Sequence, residues 1–366
     1  MNVVAKSKEL GRALGKVYRG IASRPPHPAL SGVLLEVENT FLKLTTTDLE
    51  MGIVSYCPVE VREEGSIVLP GKVLYNLVRS LSSLELEIVS LPDYVAEIKG
   101  GKSYYQLSGF SSDDFPFFPP RSSEWCFSTA GIELKGALSK VYFTASKDES
   151  NPSLNGVLFC FKEGGKLELV ASDDHRLGVC SIEISGEVGE EVIQCIVPLR
   201  GVTEVIRLLK EGEVNIIPGK GEISFQLEDT SLFSRLIEGE YPNYDRVIPR
   251  DFVTQVYIPR SEFEESLKRV TLVSPESPVV EIAVGENKIE LTSSSPEIGI
   301  AKEEVDVEVK GEEIRVFFNA QYLLEALRAF SEERVILGIS GEFTPAKLWE
   351  VEDSLQHIIM PVEIKE

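Results

Sequence analysis

Leu14-Gly15-Lys16-Val17 returns as Leu138-Ser139-Lys140-Val141 and, more loosely, as Leu267-Lys268-Arg269-Val270, at intervals of about 120 to 130 residues. Working outward, the alternating strand Leu42-Lys43-Leu44 recurs as Leu167-Glu168-Leu169 and Ile289-Glu290-Leu291. A glycine follows each strand (Gly52, Gly178, Gly299), and a helix start follows each glycine (Pro70, Pro198, Asn319). Each third closes near an aromatic-or-Met-Pro pair: Phe115-Pro116, Tyr241-Pro242 and Met360-Pro361. Landmarks repeated in one order mark a structural unit used several times. A period this long is a small domain rather than a solenoid repeat, so domains over 1–123, 124–252 and 253–366 are expected.

With 366 residues, 43% hydrophobic and 26% charged, each third has enough chain to bury its own core. No apolar run approaches the ~18 residues of a membrane span. The opening Met1-Asn2-Val3-Val4-Ala5-Lys6 lacks the apolar stretch and cleavage site of a signal peptide. The five cysteines are odd in number and never spaced Cys-x-x-Cys, which points to reduced thiols in a cytoplasmic protein. A net charge of -22 taken alone argues against nucleic acid, but a global sum can hide a segregated surface.

Each third offers two helical patterns, near 6–22 and 71–83, 131–146 and 199–211, and 260–273 and 319–331. The remainder reads as short alternating strands with Gly, Asn and Asp turns. In the first helix Leu10, Leu14, Val17 and Ile21 share one face, and Lys8, Arg12, Lys16 and Arg19 the opposite one. Lys72 and Arg79 oppose Leu74, Leu77, Val78 and Leu81, while Arg200 and Arg207 oppose Val202, Val205, Ile206 and Leu209. Counted over 6–24, 70–82, 131–147, 198–212, 259–273 and 319–334, the helical segments together carry +9, which leaves -31 on the rest of the chain.

The fold expected is α+β: three repeated domains of antiparallel strands, each with two helices. If the sheets join edge to edge with all helices facing one way, the arc curves into half a ring. Twelve helices packed ~8–10 Å apart make a circle of about 34 Å. Subtracting helix thickness leaves a hole near ~25 Å, enough for a B-form duplex. Six helices from one chain would leave under ~10 Å, so a closed head-to-tail pair is required. Modest cationic helix faces suit sliding, because phosphate contacts carry little sequence information.

At this point the residues resemble a known family, the beta sliding clamp of bacterial DNA polymerase III, essentially end to end. Ala171-Ser172-Asp173-Asp174-His175-Arg176-Leu177 is similar to the family's Ala-Thr-Asp-Gly-His-Arg-Leu. Tyr241-Pro242-Asn243-Tyr244-Asp245-Arg246-Val247-Ile248-Pro249 is similar to its Phe-Pro-Asp-Tyr-x-x-Val-[Leu/Ile]-Pro, and Thr47-Asp48-Leu49-Glu50 and Met360-Pro361 also fit.

The resemblance implies clamp domains forming half of a ring with helices lining the hole. It also implies a non-catalytic processivity factor, opened by a clamp loader, that tethers the catalytic subunit of DNA polymerase III to duplex DNA without sequence preference. It implies no cofactor and no metal. Other replication and repair proteins would enter through short peptides received in a cleft between the second and third domains. Carried over by position, that cleft uses Leu154, Ser172, His175, Arg176, Leu177, Pro242, Arg246, Val247, Asn319, Tyr322, Met360, Pro361 and Val362. Leu154, Leu177 and Val247 read equally well as plain core. Arg24 matches a basic loop of the family and Arg200 a lysine, completing a DNA-facing set of Arg12, Lys16, Arg19, Arg24, Lys72, Arg79, Lys140, Arg200 and Arg207. Tyr105 and Leu107 match one side of the dimer contact, and Leu272 and Val273 the other. The chain departs from the family at Asp174, where glycine is usual, at Pro152-Ser153, where two tyrosines can occur, and at Glu363, where a basic residue can stand.

Two other readings compete. A hydrolase centred on Asp173, Asp174 and His175 would need a nucleophile with a base or convergent metal ligands. Only His27, His175 and His357 exist, none spaced as a metal pair. Gly219-Lys220 lacks the upstream glycine of a phosphate loop, and no Gly-x-Ser-x-Gly occurs. The second is a scaffold that binds protein peptides without encircling DNA, consistent with the acidic total.

Overall fold

The structure, a computed structural model, describes residues 1–22, 25–116, 125–148, 150–186, 192–276, 278–351 and 354–363. Arg24 lies outside the described residues. The repeated strand reading holds in all three thirds. Leu42, Leu44, Leu167, Leu169, Ile289 and Leu291 are each fully buried, on strands Phe41–Thr47, Lys166–Ser172 and Lys288–Ser295. Each strand forms the second arm of an antiparallel hairpin, with Leu42 opposite Val37, Leu167 opposite Phe161 and Ile289 opposite Val284. Alternate residues of a strand face opposite sides of its sheet, so the apolar set of each hairpin reaches one core.

Six helices occupy the expected segments: α1 Ser7–Val17, α2 Gly71–Ser80, α3 Gly131–Val141, α4 Leu199–Leu208, α5 Arg260–Val270 and α6 Ala320–Ala329. All are shorter than the periodicity suggests. After α1, α3 and α5 the chain tightens into 3-10 turns, Tyr18–Gly20, Tyr142–Thr144 and Thr271–Val273. After α2 and α6 it turns extended, at Leu81 (ψ 130°) and Phe330 (ψ 149°). The extended backbone delivers Phe330 into the core. Asn319 caps α6, its Oδ1 accepting from the Gln321 amide at 2.9 Å.

The segments around the closing pairs share one backbone hydrogen bond. Phe110, Ile237 and Val362 each donate their amide to a strand residue two positions before a helix-start residue: Val68, Ile196 and Phe317, at 2.9, 2.9 and 2.8 Å. One landmark is out of register. Gly52 sits opposite Thr47, whereas Gly178 sits opposite Ala171 and Leu177 holds the place across from Ser172. The glycines therefore do not occupy equivalent positions, whereas the turns at Asp48 and Asp173 do.

The chain divides into two compact units, residues 1–132 with 207–236, and residues 133–206 with 237–366. The first unit holds a twelve-stranded sheet in which Met51–Glu63, from the first third, pairs with Thr230–Arg235, from the second. The second unit holds a nine-stranded sheet in which Arg176–Glu183 pairs with Leu355–Ile359. Sheets from different thirds thus join edge to edge within each unit. Strand Ser103–Ser108 ends the sheet of the first unit, and Gly299–Asp306 ends the separate four-stranded sheet of the second. Helix α1 packs on α2 in the first unit and α5 on α6 in the second. Among the described residues no helix is long and apolar enough to cross a membrane.

Candidate functional site

The turn joining Lys166–Ser172 to Arg176–Glu183 is built by Asp173. Its Oδ1 accepts from the amides of His175 (3.1 Å) and Arg176 (3.0 Å), while the Ser172 hydroxyl donates to the Arg176 carbonyl at 2.8 Å. This geometry drives Asp174 into the left-handed region at φ 70°, where glycine is easiest and Asp or Asn next. The equivalent turn of the first third repeats it: Asp48 Oδ1 accepts from Glu50 and Met51, and Leu49 takes φ 79°.

Arg176 leaves the turn fully engaged. Its Nε donates to Asp173 Oδ2 at 2.9 Å, Nη2 to the Phe143 carbonyl at 2.9 Å and Nη1 to Glu325. Its guanidinium also stacks over Tyr322. Behind it, His357 stacks on the Phe143 ring at 5.4 Å. Burial, then the Arg176 charge, pushes the His357 pKa down to about 3, so the imidazole stays neutral.

The chain after Tyr241 crosses this turn, and the tail is pinned beside it by the Met360 amide, which donates to the His175 carbonyl at 2.8 Å. Together they enclose a cavity of about 120 Å³ lined by Leu154, Ser172, His175, Arg176, Leu177, Pro242, Val247 and Met360, with Asp174, Tyr241, Asn243, Tyr244 and Ile358. Leu154 and Leu177 are buried and form the floor, while Val247 and Met360 are 48% and 37% exposed at the rim. Tyr244 is fixed as a wall by its hydroxyl, which donates to Glu168, itself held by Lys162 at 2.5 Å. Burial, then Glu168, pushes its phenol well above the usual range.

Five of the thirteen expected residues do not line the cavity. Asn319 caps α6 and Tyr322 acts through Arg176. Arg246 is exposed on the short turn Tyr244–Arg246, and Val362 is bound by its backbone to Phe317, with Pro361 between it and Met360. Conversely, Tyr241, Asn243 and Tyr244 were visible in the quoted motif, and Asp174 as a departure. Ile358 carried no signal, because Leu355-Gln356-His357-Ile358-Ile359 does not say which face it presents.

The expected DNA-facing cations divide in two. Arg12, Arg19, Lys72, Arg79 and Arg200 are exposed and Lys140 is half-buried, with the Arg79 guanidinium lying 5.3 Å from the Tyr75 ring centroid. Lys16 and Arg207 are engaged within the protein. Lys16 is ion-paired with Asp229, and Arg207 donates to the carbonyls of Gly15 (3.3 Å) and Lys16 (2.6 Å). A guanidinium at the α1 C-terminus satisfies open carbonyls and meets the negative end of the dipole, so its charge serves the fold.

Of the expected contact residues, Tyr105 and Leu107 pair with Ile98 and Ala96, both fully buried, and so share the core face of an edge strand. Leu272 is 73% exposed and Val273 half-buried. Ile298 and Ile300, at the edge strand Gly299–Asp306, are also exposed and were not singled out from the sequence.

The chain matches sequence models of the DNA polymerase III beta subunit: its N-terminal domain over 1–119, its central domain over 130–243 and its C-terminal domain over 245–363. It is 28% identical to the beta sliding clamp of Staphylococcus aureus over 363 residues, covering 95% of this chain and 96% of that one. The sliding clamp of Bacillus subtilis aligns at TM-score 0.95 with 25% identity, and a Pseudomonas aeruginosa sliding clamp bound to griselimycin at 0.95 with 30%, each over 100% of both chains. The chain belongs to the DNA polymerase III beta subunit family, the bacterial sliding clamps.

Proposed function

We propose that this protein is a processivity factor that encircles duplex DNA as a head-to-tail homodimer and tethers the replicative polymerase to it. The observation that carries the reading is that one chain owns two different open sheet edges. Ser103–Ser108 offers Tyr105 and Leu107 as an unfinished core layer, and Gly299–Asp306 lies with exposed Ile298, Ile300 and Leu272 in the other unit. Unlike edges on one chain favour heterologous contacts, and two such contacts close a ring. Three domains over 1–123, 124–252 and 253–366 give each ring six.

The exposed Arg12, Arg19, Lys72, Arg79 and Arg200, with Arg24, supply the diffuse phosphate attraction. The cavity floored by Leu154 and Leu177 receives short peptides from the polymerase catalytic subunit, the clamp loader and repair proteins, in the manner of an apolar pocket with a polar rim. The griselimycin-bound relative supports a ligand cleft in this family. The protein is an accessory subunit without catalysis, working in the cytoplasm. A hydrolase at Asp173 is disfavoured because both oxygens of that carboxylate are committed to the turn and to Arg176. Native mass spectrometry tests the ring: the expected mass is twice the 40.5 kDa chain, and a monomer at working concentration overturns it.

A further inference from the structure

The cavity in the second unit has an unmatched end. Asp174 lines it and is exposed, and its carboxylate has no hydrogen-bond or ion-pair partner among the described residues. Behind it the Tyr241 side chain, on the same lining, has its hydroxyl buried. The two sense each other, since after burial the Asp174 charge is the next influence raising the Tyr241 phenol pKa. The one cation in the lining cannot answer Asp174. Arg176 has its donors committed to Asp173, Glu325 and the Phe143 carbonyl, and its face to Tyr322. His175, exposed beside Asp174, is the remaining titratable group of the turn.

The cavity therefore presents an apolar floor with one open acceptor, the Asp174 carboxylate, at one end. A ligand carboxylate there would face Asp174 with like charge. An ammonium or guanidinium brings donors, opposite charge and no acceptor, and so satisfies the carboxylate. We propose that this cleft selects short partner peptides in which Lys or Arg adjoins the apolar anchors, with the Asp174 carboxylate as its acceptor. The proposal deepens the reading of the cavity as a peptide cleft and rests on it.

The test titrates the full-length protein with blocked, fluorescein-labelled peptides that share leucine and phenylalanine anchors. They differ only in carrying Lys, Gln or Glu next to the anchors, on either side in turn, and binding is read by anisotropy. At low ionic strength the best Lys peptide binds about two- to fivefold tighter than its Gln counterpart, and the Glu peptide weaker than both. The gap closes at raised salt and in Asp174→Asn, which keeps the side-chain shape and the tolerance for φ > 0. Equal affinities for Lys and Gln peptides, or a preference undiminished in Asp174→Asn, overturn the selection while leaving the cleft intact. Failure of every peptide to bind overturns the cleft reading and the selection with it.

Discussion

The guanidinium carbon of Arg176 lies 4.3 Å from the centroid of the Tyr322 ring, so the turn that shapes the cleft is tied to helix α6 by a side chain that also bonds Asp173, Glu325 and Phe143. Breaking a largely buried charge network strands its carboxylates. Arg176→Ala should cost the second unit about 3 kcal/mol in denaturant unfolding and weaken peptide binding. Arg176→Lys should recover little, because an ammonium lacks the planar fork and the stacking face. Wild-type stability in Arg176→Lys would contradict this role.

The left-handed backbone at Asp174 makes a separate, local prediction. Asp174→Gly should leave stability within about 0.5 kcal/mol, whereas Asp174→Val should lose about 1–2 kcal/mol, since a β-branched residue is poorly accommodated at φ > 0. Equal losses in the two variants would show that the turn adopts another conformation.

His357 gives the pH dependence. Its pKa falls from the ordinary 6.5 to about 3 in the folded chain, so the unfolded chain binds the proton more readily. The contribution is fully present above pH 6.5 and is lost as pH falls towards 3; by pH 5 linkage gives about 2 kcal/mol. Urea unfolding of the wild type should show this slope and His357→Gln should flatten it. Identical slopes would sink the assignment.

Much of the architecture was legible because burial imposes periodicity. Leu42 and Leu44 with their counterparts, and the Leu10-Leu14-Val17 stripe, are buried as the alternation and the 3.6 period require. Helix ends were overrun because Leu81 and Phe330 continue an apolar pattern while the backbone turns extended to seat them. The pairing of Lys16 with Asp229 and of Arg207 with the Gly15 and Lys16 carbonyls was not legible, because those partners are distant in sequence. In the cleft, motif residues on one turn came together, while Asn319 and Tyr322 touch it only through capping and Arg176. That division depends on tertiary contacts, which a linear motif does not encode.

At the cleft rim, Met360 is held beside the turn by its backbone N–H, which donates to the His175 carbonyl, while its side chain stays partly exposed. Met360→Lys should therefore reduce peptide affinity at least tenfold by placing a charge against an apolar anchor, with the far-UV signal unchanged. Unaltered affinity would move the binding site elsewhere.

The central claim is topological, and retention on DNA tests it most directly. Protein loaded by its clamp loader onto a nicked circular plasmid should stay bound at moderate salt, leave when the circle is linearised, and fail to load as Leu272→Asp, which replaces the exposed leucine proposed for the ring contact. Equal retention on circular and linear DNA, or loading by Leu272→Asp as efficient as the wild type, would contradict the account.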